Sequence, residues 1–420
     1  MFVGGNIKRY YRRIIKLRDL GITKRYLFIY CIFTIVPIII NALWIIVLRE
    51  FRGEFQYSTL PVLLRTEDIL FLLLMGILFF IVSYFVYQTL NSKRIIISTR
   101  YMVSVNRKRL EFYIILMIAI NFLLYVTTGI GKAGGAYQQK SWTFLIYFWN
   151  YDFFFWIYYY RYAKQRTKKY TFIVILFCLF QFVQGWTAFV FNIFLSEVFI
   201  RCDSKKFSFK AIFLTPLFFL GGSALYTLMY PLKFWIRTGN LKWITFIDGV
   251  LRLSERLSFF SYSAVAVQNK DIVLDLFYDF NSEYGEAMSF FYPWVPSFLL
   301  PNKSMRLLNN VVMLSAYPNF GTDTSAGLGF AYPYLIKEMG IPILLLFGML
   351  VALYIFINKI LIDNLAVNDE CGYNFSSYMF FLVVLNIFNG YTFRRIGTYV
   401  PVLWTLIMLF LFKVIIIKRK

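Results

Sequence analysis

Apolar runs of about 17–25 residues, the length that crosses roughly 30 Å of hydrocarbon, alternate along this chain with short polar segments. The pattern is interrupted once, over residues 231–340, by a long mixed stretch. The runs predict membrane spans at 26–48, 69–90, 112–129, 142–160, 171–185, 187–200, 211–230, 341–360, 375–391 and 397–416. Residues 171–200 read as one long helix or as two short ones, and charge decides between them. Two helices place 1–25, 91–110, 161–170, 201–210 and Lys418-Arg419-Lys420 on one side, where the positive-inside rule wants Lys and Arg. A single helix would put Arg201, Lys205, Lys206 and Lys210 on the other. The break is expected at Gln184-Gly185-Trp186, where glycine permits a tight turn, and each half is short for a complete crossing.

This pattern predicts an all-α polytopic membrane protein with ten transmembrane helices and one large, partly helical loop on the outer side. Three segments follow: N-terminal helices over 1–230, the loop over 231–340, and C-terminal helices over 341–420. Both termini are expected in the cytoplasm. The long basic N-terminus runs into a span of full length at Tyr26, which argues against a cleavable signal. The acidic segment 361–374, with Asp363, Asp369 and Glu370, departs from the charge pattern, but acidic residues weigh little in that rule.

Composition fits this reading. Hydrophobic residues make up 60% of the chain and charged residues 15%, against about 25% charged in soluble domains. The net charge of +23 resides in clusters between apolar runs and not on one soluble face, so nucleic acid is not an expected partner; the lipid bilayer is. Cys31 and Cys178 lie in spans and Cys202 and Cys371 in cytoplasmic loops, which leaves the outer loop without a disulfide.

The chain contains no histidine. That excludes a Ser-His-Asp triad, a histidine base and histidine-ligated metal. No phosphate-binding Gly-x-x-x-x-Gly-Lys-Ser/Thr loop is present either, and no cofactor is expected. Carboxylate, arginine, lysine and tyrosine remain, a set suited to binding a diphosphate leaving group and orienting an acceptor hydroxyl.

The loop holds nine acidic and nine basic residues. Leu251-Arg252-Leu253-Ser254-Glu255-Arg256-Leu257-Ser258 reads as an amphipathic helix with Arg252 and Arg256 on one face and Glu255 beside it. That face is either a clamp for a diphosphate or a surface resting on head groups. Tyr292-Pro293-Trp294-Val295-Pro296 cannot be regular helix; its aromatics anchor the loop at the interface or stack on sugars. Gly321-Thr322-Asp323-Thr324-Ser325-Ala326-Gly327-Leu328-Gly329-Phe330 lets backbone approach a ligand, with Asp323 as its carboxylate. Within spans, Asp152 and Glu197 are expected to face a polar cavity or a cationic partner. Arg394 and Arg395, between the last two spans, either snorkel to head groups or join Arg256 around the diphosphate.

The order of Arg256-Leu257-Ser258, Gly285-Glu286, Val295-Pro296 with Leu299, Pro301 and Lys303, and then Gly327-Leu328-Gly329-Phe330 leading to Gly340 resembles the Wzy-type oligosaccharide repeat-unit (O-antigen or capsule) polymerases. The resemblance covers the loop, and the spans only by number and topology. It implies a GT-C-like glycosyltransferase of a bacterial inner membrane, its large loop periplasmic, that joins undecaprenyl-diphosphate-linked oligosaccharides, without cofactor or metal, alongside a chain-length regulator and a flippase. On that basis Arg256, Glu255 and Asp323 are the catalytic candidates. Arg252, Lys303, Arg306, Arg394, Arg395, Trp294 and Tyr292 are the substrate-binding ones. Ser297 stands where the family often has a basic residue, and Phe330-Ala331-Tyr332-Pro333-Tyr334 where it often has Glu, so roles at those positions do not transfer. A polysaccharide flippase or transporter and an O-antigen ligase-like transferase are the competing readings. The former expects short loops and internal symmetry, and the latter's family uses a loop histidine that this chain lacks.

Overall fold

The computed structural model describes residues 29–56, 58, 60–92, 95, 101–132, 151–201, 214–281, 284–288, 307–318, 327–365, 370–388 and 399–419. The first helix, α1 (Val36–Leu48), follows a π-turn at Cys31–Ile35 and carries Pro37 in its first turn, where a missing N–H leaves no bond unmade. Helix α2 (Thr66–Ser92) places Glu67 and Asp68 at the positive end of its dipole. A strand, β1 (Tyr101–Val105), leads into α3 (Arg107–Thr128), whose cap Asn106 accepts from the Arg109 N–H. After α4 (Tyr151–Arg161) come α5 (Lys168–Val183) and α6 (Ala188–Arg201), then the long α7 (Thr215–Thr238). The loop region contributes α8 (Phe246–Ser258), α9 (Phe260–Gln268), α10 (Lys270–Phe280), α11 (Gly285–Met288), α12 (Leu308–Ala316) and α13 (Ala331–Glu338). Helices α14 (Ile341–Leu365), α15 (Glu370–Phe388) and α16 (Tyr399–Leu411) and a strand, β2 (Ile415–Arg419), complete the chain.

The chain is mostly helical, and its apolar helices mark it as a membrane protein. Among the described residues three helices are long and apolar enough to cross a bilayer, within Thr66–Ser92, Arg107–Thr128 and Ile341–Asn364. The ten predicted spans are therefore not all matched. At 1.5 Å per residue, the 16 residues of α5 and the 14 of α6 reach only about 24 and 21 Å. Their break falls at Gln184-Gly185-Trp186, with Gly185 at φ 79°, where the sequence placed it. Residues 142–150 of the fourth predicted span lie outside the described residues. The seventh span was expected to end at 230, but α7 continues through Pro231 to Thr238.

The all-α expectation is corrected by a two-stranded antiparallel sheet in which Tyr101 faces Arg419 and Val105 faces Ile415. The last helix stops at Leu411, Lys413 turns the chain at φ 53°, and 415–419 are strand, not the end of a span. Isoleucines crowded at 415–417 suit a pleated surface better than a helix interior.

These contacts sort the connections to two ends. The sheet joins 101–105 to the C-terminus, Lys169 reaches Glu111 at 3.0 Å, and Asp363 accepts from the Ile95 N–H at 2.8 Å. Three of the segments grouped by charge in the sequence, 91–110, 161–170 and the C-terminus, thus meet in space, and 1–25 and 202–210 lie outside the described residues. At the other end of α2, about 40 Å away by its length, Gln268 of α9 brackets the first loop. It accepts from the Leu63 N–H at 2.9 Å and donates to the Pro61 carbonyl at 3.0 Å. The core is aromatic: Phe154 to Tyr160 are all buried, and Phe155 stacks on Phe177 with centroids 3.6 Å apart.

Candidate anion site at the junction of α7 and α8

Helix α8 is set by its ends. Thr245 caps it, accepting from the Asp248 N–H at 3.1 Å and donating to the Asp248 carboxylate at 2.8 Å, which satisfies a donor that the first turn leaves open. At the other end Phe259 takes the left-handed conformation, φ 52°, and α9 begins at once. Glu255 makes this junction. Its carboxylate accepts from the Ser261 N–H at 2.9 Å and the Tyr262 N–H at 3.2 Å, the first turn of α9, where the helix dipole favours a negative charge.

Residues four apart divide α8 into stripes. Ser254 and Ser258 bond Asn41 of α1, at 3.1 Å to its carbonyl oxygen and 3.0 Å from its amide, and so fasten α8 to the first helix. Leu253 and Leu257 line an apolar groove against α6 and α7. Arg252 and Arg256 line a small polar cavity of about 100 Å³.

The other wall of that cavity comes from α7. Tyr226, Tyr230, Lys233, Phe234 and Arg237 follow one another at helical spacing along its last three turns. The Arg252 guanidinium lies 5.3 Å from the Tyr230 ring centroid and donates to the Tyr230 hydroxyl at 3.4 Å. Lys233 stands 5.8 Å over the Tyr226 ring, and Arg237 donates to the Gly185 carbonyl at the α5–α6 break, at 3.3 Å. Gly53 of the first loop closes the cavity. At φ +70°, a Cβ there would lie 2.2 Å from the Glu255 Cγ, so only glycine lets the loop rest on α8. The lining holds four cations and, among the described residues, no carboxylate. Such a cavity stabilises a polyanion, and the arginines offer planar forks to its oxygens.

Arg252 and Arg256 are thus brought together on one cavity, as their spacing indicated. Glu255 is buried behind Gly53 with its carboxylate bonded to the first turn of α9, and it does not line the cavity itself. Asp323, Lys303, Arg306, Trp294, Tyr292, Arg394 and Arg395 lie outside the described residues. Lys233 and Arg237 were missed because the seventh span was ended too early; their four-residue spacing after Tyr226 and Tyr230 was the available signal. Of the two acids expected inside spans, Glu197 has a cationic partner, Arg166 at 2.7 Å, and accepts from the Tyr159 hydroxyl. Asp152 is exposed in the first turn of α4. A third acid, Glu111, passed unnoticed at a span boundary. It is buried among Arg107 at 2.8 Å, Lys169 at 3.0 Å and the Tyr158 hydroxyl at 3.0 Å.

Within the loop region Glu286 is buried on α11. It accepts from the Leu308 N–H at the start of α12, at 3.0 Å, and from the Tyr332 hydroxyl of α13, at 2.7 Å. Burial pushes its carboxyl up to about 7, against the two hydrogen bonds, which pull it down.

No family model, characterised protein or solved structure matches the chain.

Proposed function

We propose that this chain is a membrane-embedded glycosyltransferase that polymerises polyprenyl-diphosphate-linked oligosaccharide repeat units. The loop region would face the periplasm of a bacterial inner membrane and both termini the cytoplasm. The observation that carries this reading is the convergence of Lys233, Arg237, Arg252 and Arg256 on one cavity, placed where apolar α7 gives way to the loop helices. A diphosphate at the head-group level of a carrier lipid has the charge and position to enter it.

In the reaction, a hydroxyl oxygen of the acceptor sugar attacks the anomeric carbon of the donor. The bond from that carbon to the diphosphate oxygen breaks, and the diphosphate leaves with the electron pair. The cations oppose the charge that develops on the leaving oxygen, where preorganised electrostatics contributes most. The hydroxyl proton passes to a base, for which Asp323 is the sequence candidate. A cavity lined by cations and tyrosines suits the leaving group, so the base belongs on the acceptor side.

Removing the gene and resolving the surface glycan on a gel tests the reading. A polymerase leaves single repeat units on the surface and abolishes the ladder. Loss of all units points to a flippase or a ligase and overturns the proposal.

A further inference from the structure

The apolar groove beside the anion cavity has a volume of about 480 Å³ and is lined by Phe191 and Phe194 of α6, Leu217 of α7, and Leu253 and Leu257 of α8. Its floor includes Gly221 and Gly222, two glycines in the interior of α7. Glycine there weakens a helix relative to alanine, so the pair needs a reason. Backbone conformation gives none, because neither residue has a positive φ. Packing among the described residues gives none either. A Cβ on Gly221 would meet nothing within 4 Å, and one on Gly222 only ordinary contacts, Phe191 at 3.9 Å and Leu253 at 4.0 Å. What the glycines do is widen the groove.

The groove and the cavity share two helices. On α7 the groove takes Leu217 to Leu225, about 12 Å of helix, and the cavity begins at Tyr226. On α8 Leu253 and Leu257 belong to the groove, and the adjacent Arg252 and Arg256 to the cavity. Exposure of Leu217, Leu225 and Phe194 opens the groove sideways to the surface that faces lipid. One molecule with an anionic head and an apolar tail can therefore occupy both.

We infer that the Gly221–Gly222 groove seats the first part of an isoprenoid chain whose diphosphate lies among Arg252, Arg256, Lys233 and Arg237. This rests on the anion-site reading above and adds the tail and its selectivity. An isoprenoid chain carries a methyl branch on every unit and is thicker than a fatty acyl chain. A groove floor lacking two side chains gives that width.

The test uses the full chain in phosphatidylcholine nanodiscs, with binding measured for inorganic pyrophosphate, a long-chain polyprenyl diphosphate and phosphatidic acid. Wild type should hold the polyprenyl diphosphate at least tenfold more tightly than pyrophosphate. The Gly221→Leu/Gly222→Leu variant should lose that advantage while binding pyrophosphate as before. Gly221→Leu alone, whose Cβ has open space, should lose part of it and serves if the double variant does not fold. An advantage untouched by both variants, or phosphatidic acid bound as tightly as the polyprenyl lipid and equally sensitive to the glycines, overturns the inference. The two proposals fail separately. Pyrophosphate binding indifferent to Arg252→Gln/Arg256→Gln removes the anion site, whereas arginine-dependent binding that gains nothing from the tail removes only the groove.

Discussion

Replacing Glu286 by Gln should remove a pH dependence from the stability of the loop region. The carboxyl titrates at about 7 in the folded chain, against an ordinary value of 4.5. Between those values the native state holds a proton that the unfolded chain has released. The contribution of this residue is therefore fully present below 4.5 and is lost as pH rises through 7. At 1.36 kcal/mol per unit, the window corresponds to about 3 kcal/mol. Gln mimics the protonated acid: its carbonyl can accept from the Leu308 N–H and its amide can donate to the Tyr332 hydroxyl oxygen. The assay is thermal unfolding of detergent-solubilised protein at steps between pH 5 and 8.5, with wild type and Glu286→Gln in parallel. The two should unfold together near pH 5, and the variant should be the more stable above pH 7.5. A constant gap across the range, or a variant that follows the wild-type slope, refutes the reasoning. The residue would then be held charged by groups that the account omits.

Arg252→Ala should reduce affinity for polyprenyl diphosphate more than Arg256→Ala. Arg252 is half-buried against Tyr230, and truncating a desolvated charge partner costs on the order of 2–5 kcal/mol, whereas the exposed Arg256 acts mainly through association rate and salt dependence. Titration at two ionic strengths separates them, and Arg256→Lys should remain impaired for want of the fork. Gly249→Ala should destabilise the α7–α8 contact by about 1–3 kcal/mol, because its Cβ would lie 1.9 Å from the Thr227 Oγ1; Thr227→Ala should restore the melting temperature in the double variant. Cysteines placed at the exposed positions Leu63 and Asp271 should react with an impermeant reagent in intact spheroplasts. One at Lys168, also exposed, should react only after the membrane is opened, and labelling of all three would overturn the topology.

The sequence was most legible where its signals were local and agreed. The α5–α6 break was visible because Gly185 coincides with the point where charge demands a reversal. The pairing of Arg252 with Arg256 was visible because helical spacing puts them on one face. The sheet between 101–105 and 415–419 was not legible, since an apolar run ending in lysine and arginine also describes a span meeting the interface, and only a partner 300 residues away decides. Lys233 and Arg237 were hidden for a related reason: hydropathy ends a span at its first charges, but α7 continues because its last turns have the loop helices to pack on. The role of Glu255 was also closed to periodicity. Its place beside the arginines suggested chemistry, and the decisive fact is that α9 starts five residues after it with two N–H groups aimed at its oxygens.

The most direct test of the central claim is reconstitution of the purified chain in proteoliposomes with a polyprenyl-diphosphate-linked repeat unit as sole substrate. The account predicts a ladder of lengthened glycans and one polyprenyl diphosphate released per linkage formed, with both products absent from the Arg252→Gln/Arg256→Gln variant. Substrate that binds but is neither lengthened nor released, or a double variant that builds the ladder at the wild-type rate, would contradict it.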